Sequence, residues 1–156
     1  LSNHYLELFI MTALSSAPQG AGPATAGFKS GSARSSAPLI YLLEDDPIMA
    51  ECLALSCRRA PSSPTIKVFA DAISAMADFD HGLPNLILLD IMLNGPNGFT
   101  FLNELMSYSD TSAIPIILIT SLELRARSLE HYGVREILSK ETPMPAGLTA
   151  IVGRYV

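Results

Sequence analysis

Short apolar runs recur along the last three quarters of the chain, and stretches with helical spacing separate them. The purest runs are residues 39–43 (Leu-Ile-Tyr-Leu-Leu), 86–89 (Leu-Ile-Leu-Leu) and 114–119, where one proline interrupts the isoleucines. Unbroken runs of this length, with no alternation, read as strands buried on both faces, the habit of a parallel sheet. Weaker strand signals cover 65–69 and 136–138. The intervening stretches predict helices over 47–59, over 71–79 with Asp71 as cap, and over 98–108, 122–132 and 147–155. In the first of these, Met49, Leu53 and Cys57 share one face. Strand and helix alternate throughout, as a doubly wound α/β sheet of five strands and five helices requires.

The opening of the chain lacks this pattern. Residues 15–37 number 23, of which 18 are serine, alanine, glycine or proline, the composition of a flexible linker or tail. Residues 5–10 ahead of it suffice for one or two helical turns. They lack a basic start and contain Glu7, which argues against a secretory signal. The expected organisation is a tail over 1–37 and one folded domain over 38–156.

Composition narrows the class. The 156 residues are 49% hydrophobic, enough for a single domain with a real core. A net charge of −5, with no run of lysines or arginines, argues against a nucleic-acid surface. No apolar stretch reaches the length of a membrane span. Cys52 and Cys57 lie five apart on one helix, on different faces, and are expected as buried structural thiols in a reducing cytoplasm. His4, His81 and His131 show no metal-ligand spacing.

The chemistry gathers where the strands end. In open parallel sheets, ligands bind outside the carboxyl ends of the strands. Glu44, Asp45 and Asp46 close the first run. Pro47 suits the first helical position, so Asp46 is expected to be the N-cap, with Glu44 and Asp45 free to point outward. Asp90 closes the third run, Thr120 the fourth, and Lys140 follows the short fifth. Clustered carboxylates need a cation, and a hard oxygen site suits Mg²⁺. A threonine hydroxyl and a lysine ammonium can then receive a phosphoryl group, with Asp90 as nucleophile.

Residues 38–156 resemble the receiver domains of two-component response regulators, the CheY-like superfamily. Glu44 and Asp45 match the acidic metal-binding pair, and Asp90 the phosphorylated aspartate. Thr120 matches the switch hydroxyl and Lys140 the family lysine. The intervals are 45 residues from Asp45 to Asp90, 30 to Thr120 and 20 to Lys140. The last is slightly short, which predicts a trimmed fourth helix. The resemblance implies a flavodoxin-like sheet of order 2-1-3-4-5 and Mg²⁺ held by Glu44, Asp45, Asp90 and the backbone carbonyl of Met92. It implies a phosphoacceptor that catalyses only its own phosphorylation and dephosphorylation. The implied partners are a sensor histidine kinase or histidine phosphotransfer protein, and a downstream protein met by the fourth helix, fifth strand and last helix. A homodimer is also compatible. With 16 residues after Lys140, no output domain is expected beyond it.

Several positions depart from the family. Asn94 stands where proline is common, although Gly98 fits. Glu141 replaces the proline after the lysine, where a cis bond before a non-proline residue would cost about 3 kcal/mol. Ile137 replaces an aromatic residue that changes rotamer when the threonine moves. Met92 and Leu122 occupy the two positions that flank the hydrolytic water, and neither side chain can orient water. A long-lived phosphoryl group is therefore expected.

Taken singly, each residue has a plainer explanation. Asp90 could be a turn residue, Thr120 a helix cap with Glu123 completing a capping box, Lys140 and Glu44 solvated surface charges. Two rival functions also stand. One is a degenerate receiver that binds partners without phosphorylation. The other is a phosphohydrolase of the haloacid-dehalogenase type, whose second aspartate is replaced here by Met92.

Overall fold

Five parallel strands form one sheet in the order β2-β1-β3-β4-β5. The computed structural model describes residues 37–94, 98–122, 124, 129–141 and 145–156, apart from the side chains of 145 and 146. Nearly all of the expected tail, residues 1–36, lies outside them. The strands are β1 (Leu39–Leu43), β2 (Thr65–Phe69), β3 (Leu86–Leu89), β4 (Ile116–Thr120) and β5 (Val134–Ser139). The helices among the described residues are α1 (Pro47–Arg58), α2 (Ala72–Ala77), α3 (Gly98–Met106) and α4 (Pro145–Tyr155).

The three central strands are the purest apolar runs, and they are fully enclosed. Every residue of β3 and β4 is buried, as are all of β1 except Leu39. β2 lies at one edge and has no fully buried residue, which explains its weaker apolar signal. On one face of the sheet, Ile40, Leu42, Leu86, Leu88, Ile117 and Ile119 pack with Leu53 and Cys57 of α1 and Leu148 and Val152 of α4. The Thr149 hydroxyl joins the two helices by donating to the Ser56 carbonyl at 2.8 Å.

Alternation along β1 sends Tyr41 to the opposite face. Its ring stacks on Phe79 with centroids 5.7 Å apart, and Phe79 meets Phe101 of α3 at 6.3 Å. The phenol donates to Asp78 Oδ2 at 2.5 Å, and Lys67 of β2 donates to the same oxygen at 2.5 Å. The hydroxyl also lies 3.2 Å from the Asp78 and Gly82 carbonyls, and together these contacts offset the desolvation of the buried phenol. Burial and the neighbouring carboxylate together hold the Tyr41 pKa well above the tyrosine range.

Helix starts follow the expected chemistry. Asp46 caps α1, accepting from the amides of Ile48 at 2.8 Å and Met49 at 3.0 Å, with Pro47 at the first position. Asp71 caps α2 through the Ser74 amide and hydroxyl, both at 2.8 Å.

Four expectations change. The second helix stops at Ala77 and continues as a 3-10 turn, Asp78–His81. Residues 123 and 125–128 of the expected fourth helix lie outside the described residues, and its end is a 3-10 turn, Glu130–Tyr132. β5 is longer than expected because it begins at Val134. Cys52 is exposed; only Cys57 is buried, and burial pushes its thiol up to about 12.

One irregularity matters for the site. β4 and β5 pair as Ile116↔Val134 and then Ile117↔Glu136, so Arg135 is an extra residue on β5. From there the register is regular to Thr120↔Ser139.

Candidate functional site

The ladder sets the carboxyl ends of β1, β3, β4 and β5 side by side. Leu43 pairs with Leu89, and the Asp90 amide donates to the Leu43 carbonyl at 2.9 Å, which holds the first residue past β3 beside the tip of β1. Likewise the Lys140 amide donates to the Thr120 carbonyl at 3.0 Å. Backbone bonds thus extend one step beyond the strands, and Glu44, Asp90 and Lys140 sit on that step.

Lys140 ties the site together. Its Nζ donates to Asp90 Oδ2 at 2.8 Å and to Glu44 Oε1 at 2.8 Å, and it lies 2.7 Å from Glu44 Oε2. The side chains of Glu44 and Asp90 are almost wholly buried, and that of Lys140 is 15% exposed. None of the three is a solvated surface charge. Glu44 therefore differs from expectation: of the acidic pair only Asp45 is partly open to solvent. The reason is the ammonium, which draws Glu44 inward.

These groups respond differently to burial. For Glu44, desolvation outweighs the attraction of Lys140, and its pKa stands above the usual glutamate value. For Lys140, desolvation works to lower the pKa, but bonds to Asp90 and Glu44 outweigh it and leave the pKa raised. One cation shared by two acids explains the asymmetry. The lysine has two carboxylate partners, whereas Glu44 shares its one ammonium with Asp90.

Ligand atoms of Glu44, Asp45 and Asp90 lie within 4.8 Å of one another. Glu44 Oε2 is buried and, despite its closeness to Nζ, lacks a hydrogen bond of good geometry. An all-oxygen donor set of three carboxylates beside a single ammonium fits a hard divalent cation. The fit includes two carboxylate tips already held in place: Asp90 Oδ1 accepts from the Met92 amide at 2.9 Å, and Asp45 accepts from the Asn94 side chain.

Thr120 is fully buried at the tip of β4, and its hydroxyl oxygen accepts from the Leu122 amide at 3.2 Å. That bond resembles the plain cap considered above, but the oxygen retains its proton for donation. Glu123, the expected partner in a capping box, lies outside the described residues. Met92 is 55% exposed beside Asp90. Glu141 is also exposed, its amide donating to Ser139 Oγ at 3.2 Å, and all described peptide bonds are trans.

Gly98 sets the wall behind Asp90. A Cβ there would sit 2.7 Å from Ile91 Cα and 3.0 Å from the Asp90 carbonyl. Only glycine lets α3 approach the turn this closely, and its amide donates to the Ile91 carbonyl at 3.1 Å. Asn94 is the participant that sequence reasoning passed over. Its polarity at a position usually held by proline was visible, but the tertiary contact 49 residues away was not.

Comparison with known proteins agrees with this geometry. The family model for the response regulator receiver domain matches residues 40–152. The chain is 34% identical to the transcriptional regulatory protein BaeR of Escherichia coli O6:H1 over 54% of its own length and 33% of that protein's. It is 31% identical to the response regulator PleD of Caulobacter vibrioides over 64% of this chain and 22% of PleD. The chain thus spans a third or less of these relatives. Among solved structures, the receiver domain of sensor histidine kinase PA1611 from Pseudomonas aeruginosa PAO1, with magnesium coordinated in its active-site cleft, superposes with a TM-score of 0.65. It is 23% identical, over 77% of this chain and 98% of that one, a likeness of fold. The parallel sheet of order 2-1-3-4-5, the acids and lysine at its carboxyl edge and the match over residues 40–152 lead to one identification: this chain belongs to the response regulator receiver domain family of two-component signalling proteins.

Proposed function

We propose that the domain, residues 38–156, accepts a phosphoryl group on Asp90 from a phosphohistidine of a sensor histidine kinase or histidine phosphotransfer protein. The observation that carries this reading is the Lys140 ammonium, 2.8 Å from Asp90 Oδ2 and bonded also to Glu44, inside a buried acidic cluster. An Asp90 oxygen attacks phosphorus while the P–N bond to imidazole breaks. The nitrogen keeps the electron pair and takes a proton, and a phosphoaspartate remains. Lys140 follows the charge from the carboxylate to a phosphoryl oxygen. The Thr120 hydroxyl donates to another, and the buried setting strengthens both contacts.

Glu44, Asp45, Asp90 and the Met92 carbonyl would hold Mg²⁺, with support from the three clustered carboxylates and from the magnesium in the PA1611 cleft. Bound there, Mg²⁺ supplies neutralisation of the phosphoryl charge. The new charge on Asp90 biases two conformations, read by a downstream protein at the β5–α4 side of the domain. Ile137, partly buried on β5, replaces the usual aromatic reporter there.

Intact-mass spectrometry after incubation with acetyl phosphate and Mg²⁺ tests the reading. A Mg²⁺-dependent gain of one phosphoryl group, absent in Asp90→Asn, is the expected result. No gain in folded protein would favour a binding module that works without phosphorylation.

A further inference from the structure

Asn94 is exposed on the turn after β3, yet its side chain reaches Asp45 beyond β1, 49 residues away, and donates its Nδ2–H to Asp45 Oδ2. Asp45 differs from its two companions. Lys140 holds Glu44 and Asp90, both buried, whereas Asp45 is partly open and is not bonded to that ammonium among the described residues. An unrestrained aspartate at a partly solvated strand tip would sample several rotamers, and ordering it would weaken cation binding. A carboxylate has two oxygens and about four lone-pair sites, so one amide bond leaves room for a cation. A neutral amide is suited to this work. It orients the carboxylate without cancelling the charge that attracts the metal, as a lysine there would do.

We propose that Asn94 is a positioning residue for the cation, holding Asp45 in the rotamer that completes the acidic cluster. The inference rests on the metal site proposed above. It also assigns a role to the side chain found where the family commonly carries proline, a residue with no donor to offer. Asn94 links the turn that carries Asp90 and Met92 to the acidic pair, so ordering of that turn and affinity for the cation are coupled.

The test is calorimetric titration of Mg²⁺ into the full chain, with Mn²⁺ monitored by electron paramagnetic resonance as a second probe. Wild type, Asn94→Ala, Asn94→Gln and Asp45→Asn are compared, alongside melting temperatures in EDTA. The expected result is binding about three- to tenfold weaker in Asn94→Ala, the worth of one hydrogen bond, at nearly unchanged melting temperature in EDTA. Asn94→Gln keeps an amide donor and should recover part of the loss. Affinity equal to or tighter than wild type in Asn94→Ala would overturn the role of Asn94. Equal weakening in the Ala and Gln variants would also overturn it, because the amide would then not be the cause. Absence of binding by wild type at millimolar Mg²⁺ would instead remove the metal site, and this inference with it.

Discussion

The Lys140 ammonium lies 2.8 Å from Asp90 Oδ2, although 50 residues separate them in sequence. Because Glu44 shares the same ammonium, the two buried acids and one base carry a net charge of −1, and Asp45 adds another. The cluster is thus under-neutralised, and the removal of any charge shifts the balance for the others.

Lys140→Ala leaves Glu44 and Asp90 buried without their counter-ion. The expected loss is about 1–3 kcal/mol of stability in EDTA, the cost of an unsatisfied buried polar group. Mg²⁺ should restore part of it. Urea denaturation with and without the cation checks this, and an equal loss in both media would contradict it.

The pH dependence follows from Glu44, whose pKa is raised in the fold chiefly by burial. An acid with a raised folded pKa binds more protons folded than unfolded, so stability falls as pH rises. That contribution is complete below the ordinary glutamate value of about 4.3 and is lost as pH climbs through the higher folded value. Glu44→Gln cannot titrate, so its stability relative to wild type should improve over that rise. Denaturation curves of both proteins in EDTA, from acid to neutral pH, measure the difference.

Gly98→Ala places a methyl group 2.7 Å from Ile91 Cα, a backbone atom that cannot swing away. Overpacking of this kind costs about 1–3 kcal/mol. Relief requires a shift of the turn behind Asp90, so phosphorylation by acetyl phosphate should slow as well. A variant with wild-type stability and rate would show that the turn yields freely.

The exposed Met92 beside Asp90, and Leu122 beyond Thr120, have side chains with no good hydrogen bond to offer water. The phosphorylated form should persist for many minutes without a phosphatase, and Met92→Glu should shorten its life. Mass spectra taken over time would follow the decay. Loss within seconds in wild type would sink the idea.

How much was legible in the sequence depended on whether the determinant was local. The runs of β1, β3 and β4 were plain because burial on both faces leaves no polar position. Caps Asp46 and Asp71 were legible because their partners lie two or three residues on. The placement of Glu44, Asp90, Thr120 and Lys140 at strand tips was readable from order and spacing, aided by family resemblance. The inward turn of Glu44 was not, since it depends on an ammonium 96 residues later. The same holds for the Asn94–Asp45 contact. Cys52 was misjudged because helical spacing tells which residues share a face, not which face meets the core.

The extra residue Arg135 has a consequence for how this domain can tolerate change. It advances β5 by one place, so that Ser139 faces Thr120 and Lys140 takes the next backbone bond. Were the same residues paired without the bulge, with Arg135 in the ladder, Leu138 would face Thr120, Ser139 would take that step instead, and every later side chain would exchange faces. A hydroxyl would then stand where the ammonium belongs, and two buried acids would lose their shared cation. Insertions and deletions between β4 and β5 are therefore not interchangeable. Loss of Arg135 itself would leave Ser139 opposite Thr120, while a single insertion or deletion between Glu136 and Lys140 changes the charge at the heart of the site.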